Sequence, residues 1–600
     1  MVLLPVLCGF LLALLFARKV AEWRAALLLA AVAWGCLATA FTELLSLFSL
    51  LTYGGIAFCW ASATVIAGLL TVKLRMLSPI PRPDLVQASE TPEIGGIALI
   101  CLVTFAIAIL APPNNWDSMT YHMSRVAHWL QNHSVAHYPT HILRQLELGP
   151  WAEFAIAHFQ ALSGGDRYAN LVQWASMVGS LLGASLIAVQ LGGNRRTQIF
   201  AAVLVATIPM GILQSTSTQN DYVVAFWLTC MAWAGLRFIQ DGRPAWAVVV
   251  GASLGLAILT KGTAYLYAFP FLVWIAFGLV RRPWRQAAIA VLCIVIPSIL
   301  LNVSHYRRNF EVFSNPLGSK SSQYTNEHLG AAALASNMLR NLALQLASAS
   351  GSANDRIETV VENLHSRLGM DVNDPATTWS GTRFSVITKK HEDMTSNVLH
   401  TLLAGAALLT LAFAGSFRKV PRSLLCYLAA VAAGYVLFCL LLKWQPWHSR
   451  LLLPLFVIGA PAVSAISTRY WRPGIVRMIA MTLLVASIPW VLGNVTRPLV
   501  NVSKDGTFSS PLLTYDRDRL YFMNREDLYE KYLKIADDIR RLKATNIGLT
   551  ISTGDFEYPL WVLIKERNPL PVRIEHVDVK NASRRTRADD FRPDFVVGLQ

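Results

Sequence analysis

Apolar residues run along the chain in blocks of about 15 to 25, broken by short basic connections and by three long polar segments. At ~20 residues per membrane crossing the blocks predict about fourteen spanning helices, near residues 1–17, 25–41, 53–72, 94–111, 168–191, 199–213, 221–239, 245–259, 264–279, 287–303, 397–415, 424–442, 451–467 and 475–493. Alternate connections are basic: Arg18, Lys19 and Arg24; Lys73, Arg75 and Arg82; Arg195 and Arg196; Arg237 and Arg243; Arg281, Arg282 and Arg285; Arg418, Lys419 and Arg422; Arg469, Arg472 and Arg477. Lys and Arg concentrate in cytoplasmic loops, so these seven connections are expected in the cytoplasm. Every long polar segment then falls on the other side. The first block lacks a basic leader and a small-residue cleavage site, which predicts a retained helix rather than a signal peptide.

Within the polar segments the pattern changes. Residues 119–131 and 151–162 are amphipathic and rich in Trp, Tyr and His, as suits helices lying in the membrane interface. The tail alternates a charged helix, 525–543, with strand-like runs at 547–552, 572–579 and 595–599, which predicts a small α/β domain. The expected fold is an all-α polytopic membrane protein with interfacial helices in its first external loop and a small external α/β C-terminal domain. Its parts are N-terminal transmembrane helices (1–93), a transmembrane core (94–303) carrying the first external loop (112–167), a large external loop (304–396), C-terminal transmembrane helices (397–493) and the external domain (494–600).

Composition agrees. Of 600 residues 54% are hydrophobic and only 15% charged, against about 25% charged in ordinary globular chains, and the mean hydropathy is +0.43. Collagen-like, disordered, coiled-coil and small disulfide-scaffold classes are excluded. The net charge of +16 would suggest nucleic acid in a soluble protein, but here it is explained by orientation of the spans, and no nucleic-acid partner is expected. All eight cysteines fall inside apolar blocks without a CxxC, so neither a disulfide framework nor a structural zinc site follows. There is no P-loop, GxGxxG or GxSxG. Asn-x-Ser/Thr triplets occur at Asn302, Asn494, Asn501 and Asn581.

The first external loop holds the candidate chemistry. Asp117 follows a predicted span end almost at once, where a carboxylate is costly unless a cation or a substrate hydroxyl pairs with it. Thirty residues on, Glu147 stands where the chain returns to the membrane through Gly149 and Pro150. The two acids could share one cavity; equally, Asp117 could simply cap the helix that begins at Ser118. Five histidines (His122, His128, His133, His137, His141) accompany Arg125 and Arg144. No pair has HExxH spacing, so no metal is assigned and a divalent ion stays an option; pairing with lipid headgroups is the simpler role. Further cations stand at other external helix ends, against the orientation rule: Lys261 in LTKG, Arg307 and Arg308 in HYRRNF, His448 and Arg450 in WHSRLLLP. Gathered cations beside two acids suit a lipid-linked phosphate, to which Arg offers two parallel hydrogen bonds. Snorkelling to lipid phosphates would account for any single one of them.

Taken in order, these motifs resemble the GT-C integral membrane glycosyltransferases of the family 39 type, which include protein mannosyltransferases and the lipid A aminoarabinose transferase. The resemblance rests on Asp117 after a helix, the return around Glu147 to Trp151, LTKG at 259–262, Arg308-Asn309 followed by SNPLG, and RLLLP at 450–454, and it spans about residues 94–470. It implies a sugar moved with inversion from a polyprenyl-phosphate donor to an extracytoplasmic glycan, lipid or protein, by a hexosyl- or pentosyltransferase of the inner (plasma) membrane that requires no cofactor. It implies Asp117 as general base and Glu147 as second acid, with Arg125, Arg144, Lys261, Arg308, His448 and Arg450 on the donor-phosphate side. The chain departs from the family in lacking the Lys-Pro pair after the second acid, where Leu148 and Gly149 precede Pro150, and in three apolar blocks ahead of the usual first helix. These departures bear on the acceptor class rather than the fold. A lipid-linked saccharide transporter or flippase would instead place charged or broken helices at the bilayer midplane in two related halves, and a membrane-anchored scaffold would use the tail alone.

Overall fold

The computed structural model describes residues 1–20, 22–75, 87–319, 323–413, 420–502, 507–568, 570–586 and 591–599. Arg82, Arg418 and Lys419, three of the orienting cations, lie outside them. Each of the fourteen apolar blocks forms helix. Among the described residues, nine helices are long and apolar enough to cross a membrane, with Leu3–Ala17, Pro244–Thr260 and Val398–Phe413 as shorter apolar helices. All eight cysteines are free.

Two of the expected spans are corrected. The block at 199–213 is not one helix but two, Arg195–Ala206 and Pro209–Gln214, because Pro209 disfavours helical backbone at the residue before it; Ile208 is extended. The block at 287–303 extends to Trp284–Phe313. At 1.5 Å per residue its 30 residues reach about 45 Å, longer than the hydrocarbon core is thick. Residues 304–313, expected to open the large loop, are the last turns of this helix and carry Arg307, Arg308 and Asn309 out of the bundle.

The three N-terminal helices are built into the bundle. Gly35 lies where a Cβ would stand 3.0 Å from the side chains of Leu256 and Trp227, so its lack of a side chain lets Trp23–Leu47 pack closely there. Near the other end of that helix, Glu43 takes both guanidinium nitrogens of Arg308 at 2.7 and 2.8 Å.

The three polar segments meet at one end of the bundle. Helices Ser118–His122, a π-type turn, and Met123–Asn132 continue one another, and the helix Trp151–Ser163 follows the loop's return. They are covered by protein: every residue from Ser118 to Trp129 is buried, as is every one from Trp151 to His158. The tail covers Met123–Asn132 through His128 and Gln131, whereas His158 of Trp151–Ser163 bonds Thr42 and Trp60 of the spans. The tail is a small α/β unit, with a parallel sheet of Arg573–His576, Asn546–Thr550 and Phe595–Gly598 in that spatial order. The helices Tyr529–Leu542 and Tyr558–Arg567 pack against one another beside it. The sequence pattern placed the first of these helices and the three strands within a few residues, and missed Tyr558–Arg567.

Candidate active site

Asp117 lies between the span Thr91–Leu110 and the π-type turn. Its side chain does not cap that turn; Asn115 does, accepting from the Ser118 amide at 2.8 Å. The simple capping role is thereby overturned, and the carboxylate is left to face other partners. Oδ2 accepts from Arg450 Nη2 at 2.7 Å, and Oδ1 is 3.6 Å from Arg144 Nη1. Arg450 also holds Asp393 Oδ1 at 2.7 Å through its other terminal nitrogen. Beside this pair, Lys261 Nζ donates to Asp221 Oδ1 at 2.6 Å.

These groups influence one another. Burial alone would raise the Asp117 carboxyl, but Arg450, then Arg144 and His122, outweigh it and hold it well below the usual carboxylate range. Burial likewise lowers the Lys261 ammonium, against the opposing pull of Asp221. Burial works to lower Arg450, yet Asp117, Asp393 and Asp221 keep it charged. Three acids and three cations are therefore in balance, and two buried atoms, Asp221 Oδ2 and Arg450 Nε, have no hydrogen-bond partner among the described residues. A ligand carrying both a hydroxyl and an anionic oxygen could use both.

Glycines bring the motifs together. A Cβ on Gly149 would meet the carbonyl oxygen of Leu259 at 2.6 Å and Thr260 at 2.9 Å, so the loop's return packs backbone on backbone against the helix end that presents Lys261. Gly318 has φ +97, and a Cβ there would lie 2.7 Å from Glu147 Cβ; the left-handed backbone and the contact both require glycine. Glu147 accepts from the amide and hydroxyl of Ser319 at 2.9 and 2.6 Å. Asn309 donates to the Glu147 carbonyl at 3.2 Å and to that of Pro316 at 3.2 Å. Tyr324 sits within electrostatic reach of Arg144, Glu147, Asp117 and Arg450.

The structure thus brings Asp117, Arg144, Lys261 and Arg450 together, with Glu147 at the edge. The other expected phosphate-side cations lie elsewhere. Arg308 faces Glu43. Arg125 is fully buried beneath the loop, donating to the carbonyls of Leu148 at 3.1 Å and Arg144 at 2.7 Å and lying 3.4 Å from Glu153. His448 is buried against Phe438 and bonds Asn341 at 2.8 Å; burial, then Arg340, pushes it down to about 3, so it is neutral. Three of the loop histidines are engaged within the protein: His122 bonds Glu153 at 2.5 Å, His137 bonds Asn309 at 2.9 Å and His141 bonds the Val577 carbonyl at 2.8 Å. His133 is exposed. Asp221, Asp393 and Tyr324 escaped the sequence reading. Asp221 opens a span and would have been found by the same cost argument that selected Asp117.

One further cluster has metal-binding residue types: His128, Glu557 and His576, with ligand atoms within 4.8 Å of one another. Its hydrogen bonds fit an anchor better than an ion site. His576 Nδ1 accepts from the His141 amide at 3.3 Å, which leaves the ring proton on Nε2, 3.2 Å from Glu557 Oε2. Glu557 also accepts from His128 at 2.8 Å, Trp561 at 2.9 Å and the Gln145 amide.

Comparison with known proteins finds one family match and similar solved structures. Residues 148–302 match the sequence model of the family described as dolichyl-phosphate-mannose-protein mannosyltransferase. No curated protein sequence matches the chain. Among solved structures the chain is similar to ArnT from Cupriavidus metallidurans bound to undecaprenyl phosphate, at 14% identity over 81% of this chain and 86% of that one with a TM-score of 0.48. It is also similar to the apo state of the same protein, at 16% identity over 83% and 88% with a TM-score of 0.39. Over residues 148–302 the chain is similar to the mannosyltransferase family just described. That region runs from the loop's return at Leu148 through LTKG to the last apolar turns of Trp284–Phe313.

Proposed function

We propose that the protein transfers a sugar, hexosyl or pentosyl, from a polyprenyl-phosphate donor to an acceptor glycan, lipid or protein on the outer face of the inner (plasma) membrane. The observation that carries this reading is a buried, ionised Asp117 shared between two guanidiniums beside Lys261. An acceptor hydroxyl or amine attacks the anomeric carbon from the side opposite the phosphate, and its proton passes to Asp117. The bond from that carbon to the phosphate oxygen breaks, and its electron pair leaves with the polyprenyl phosphate. Arg450 and Lys261 stabilise the charge that develops there.

A carboxylate held this low is a weak base, and the donor corrects that. A phosphate drawing Arg450 toward itself removes the cation that lowers Asp117 most, so base strength rises when the donor is bound. The reading calls for no nucleotide, since activation resides in the lipid donor, and for no metal in the transfer step.

The test is a panel of radiolabelled polyprenyl-phosphate sugars offered to the purified full-length protein with membrane-extract acceptors. Label from at least one donor should transfer, and Asp117→Asn should abolish the transfer while donor binding persists. Full transfer by a well-folded Asp117→Asn protein would overturn the reading.

A further inference from the structure

We propose that the tail segment 553–557 is a wall of the active centre and that Glu557 positions Arg144 against Asp117, so the tail domain is a working part of the transferase site. The proposal rests on Asp117 acting as the base.

The segment joins the strand Asn546–Thr550 to the helix Tyr558–Arg567, and within five residues it meets the first loop repeatedly. The Thr553 carbonyl accepts from Arg144 Nη2 at 2.8 Å. The Phe556 ring packs edge-on against Trp116, the neighbour of Asp117, with centroids 5.1 Å apart. Glu557, fully buried, accepts from Gln145 and His128. Gln145 in turn donates to the Thr120 carbonyl at 3.0 Å and accepts from Tyr138 and Thr140 at 3.1 and 2.8 Å.

Arg144 needs this support. It opens a helix of four residues, Arg144–Glu147, which one turn of hydrogen bonds does not hold by itself. Its carbonyl is tied by Arg125, its guanidinium by Thr553 and its neighbour by Glu557, while its guanidinium lies 4.9 Å from the Tyr121 ring centre. Without the tail's contacts Arg144 keeps the Arg125 tie, the Tyr121 ring and the loop bonds of Gln145, but its guanidinium loses the Thr553 carbonyl and Gln145 loses Glu557.

The experiment is the pH profile of transfer. Asp117 is faced by Arg144, His122 and Tyr121 from the first loop, by Arg450, and at longer range by Lys261 and Tyr324. Glu557 is faced by His128, Tyr138 and His141 from the loop and by His576 and Tyr532 from the tail. Withdrawing a cation from beside a carboxylate raises its pKa, so Glu557→Gln should move the acid limb of transfer upward by roughly 1 pH unit. Arg144→Gln should do the same, and the double variant should move it no further than Arg144→Gln alone. A tail that only aids folding would scale activity with the folded fraction at every pH, and an unmoved acid limb in folded Glu557→Gln overturns the proposal. If that variant does not fold, Phe556→Leu, which loosens the seat on Trp116 without altering charge, takes its place: a smaller upward shift supports the proposal and none overturns it. Asp117→Asn separates the two readings. Full activity there removes the base itself, whereas its loss beside an unmoved limb removes only the positioning role.

Discussion

Asp117 and Glu557 are both buried carboxylates at the same end of the molecule, and they are held in opposite ways. Glu557 is saturated by histidine, amide and indole N–H groups, two to each oxygen. Asp117 leans on guanidiniums that have other partners: Arg450 is also bound to Asp393, and Arg144 to a tail carbonyl. An acid saturated by dedicated short-range donors fixes architecture. One that shares its cations can lose them to a stronger anion, and so can change state when a phosphate arrives.

The comparison breaks most decisively at Asp117. Asp117→Asn keeps size and polarity but removes the base, and transfer should fall on the order of 100-fold or more with the fold intact, measured by initial rates on labelled donor. Next, Arg450→Ala and Lys261→Ala should each weaken donor binding by ~1.5 to 3 kcal/mol, the scale of a charged hydrogen bond, in a direct titration. Arg308→Ala should weaken it far less, because that guanidinium is occupied by Glu43.

The other side of the comparison is read through stability and pH. The Glu557 carboxyl would be raised by burial, but His576 and His128 hold it well below 4.5. A carboxyl lowered by folding contributes stability that is full above its unfolded value and is lost as the pH falls through that value toward the folded one. Thermal unfolding at pH 7 and pH 4 should therefore show a steeper acid loss for the native protein than for Glu557→Gln, which starts lower and varies less. Gly149→Ala should cost about 1 to 3 kcal/mol of stability by forcing a methyl into the Leu259 carbonyl, again by thermal unfolding. At the small end, Arg307→Gln should leave transfer and the unfolding midpoint unchanged, since its pair with Glu311 is exposed.

The difference in holding also explains what sequence could reveal. The helices were legible because apolar blocks of membrane length admit few other structures, although among the described residues nine rather than fourteen are long and apolar enough to cross a membrane, Pro209 broke one block and one helix outran the bilayer. Lys261 and Arg450 stood out as cations on the side where orientation charges are not wanted, and Arg144 through its place in the first loop. Asp393 did not, because in KKHEDMTS an acid among polar neighbours has no local oddity. Glu557 lies 412 residues from Gln145, and no spacing rule connects them. His448 and Arg308 misled for the opposite reason: their residue type was right, but burial had neutralised one and Glu43 had occupied the other.

That last pair sets a schedule for biosynthesis. Glu43 and Arg308 are 265 residues apart in the chain, and chains are made at about 5–20 residues per second. The second helix therefore carries an unneutralised acid for roughly 15 to 50 s before its cation is translated. Before then the helix that carries Glu43 already has Trp227 and Leu256 to pack against at Gly35. The Glu43–Arg308 pair is thus a late clasp on a helix whose packing partners are made before it.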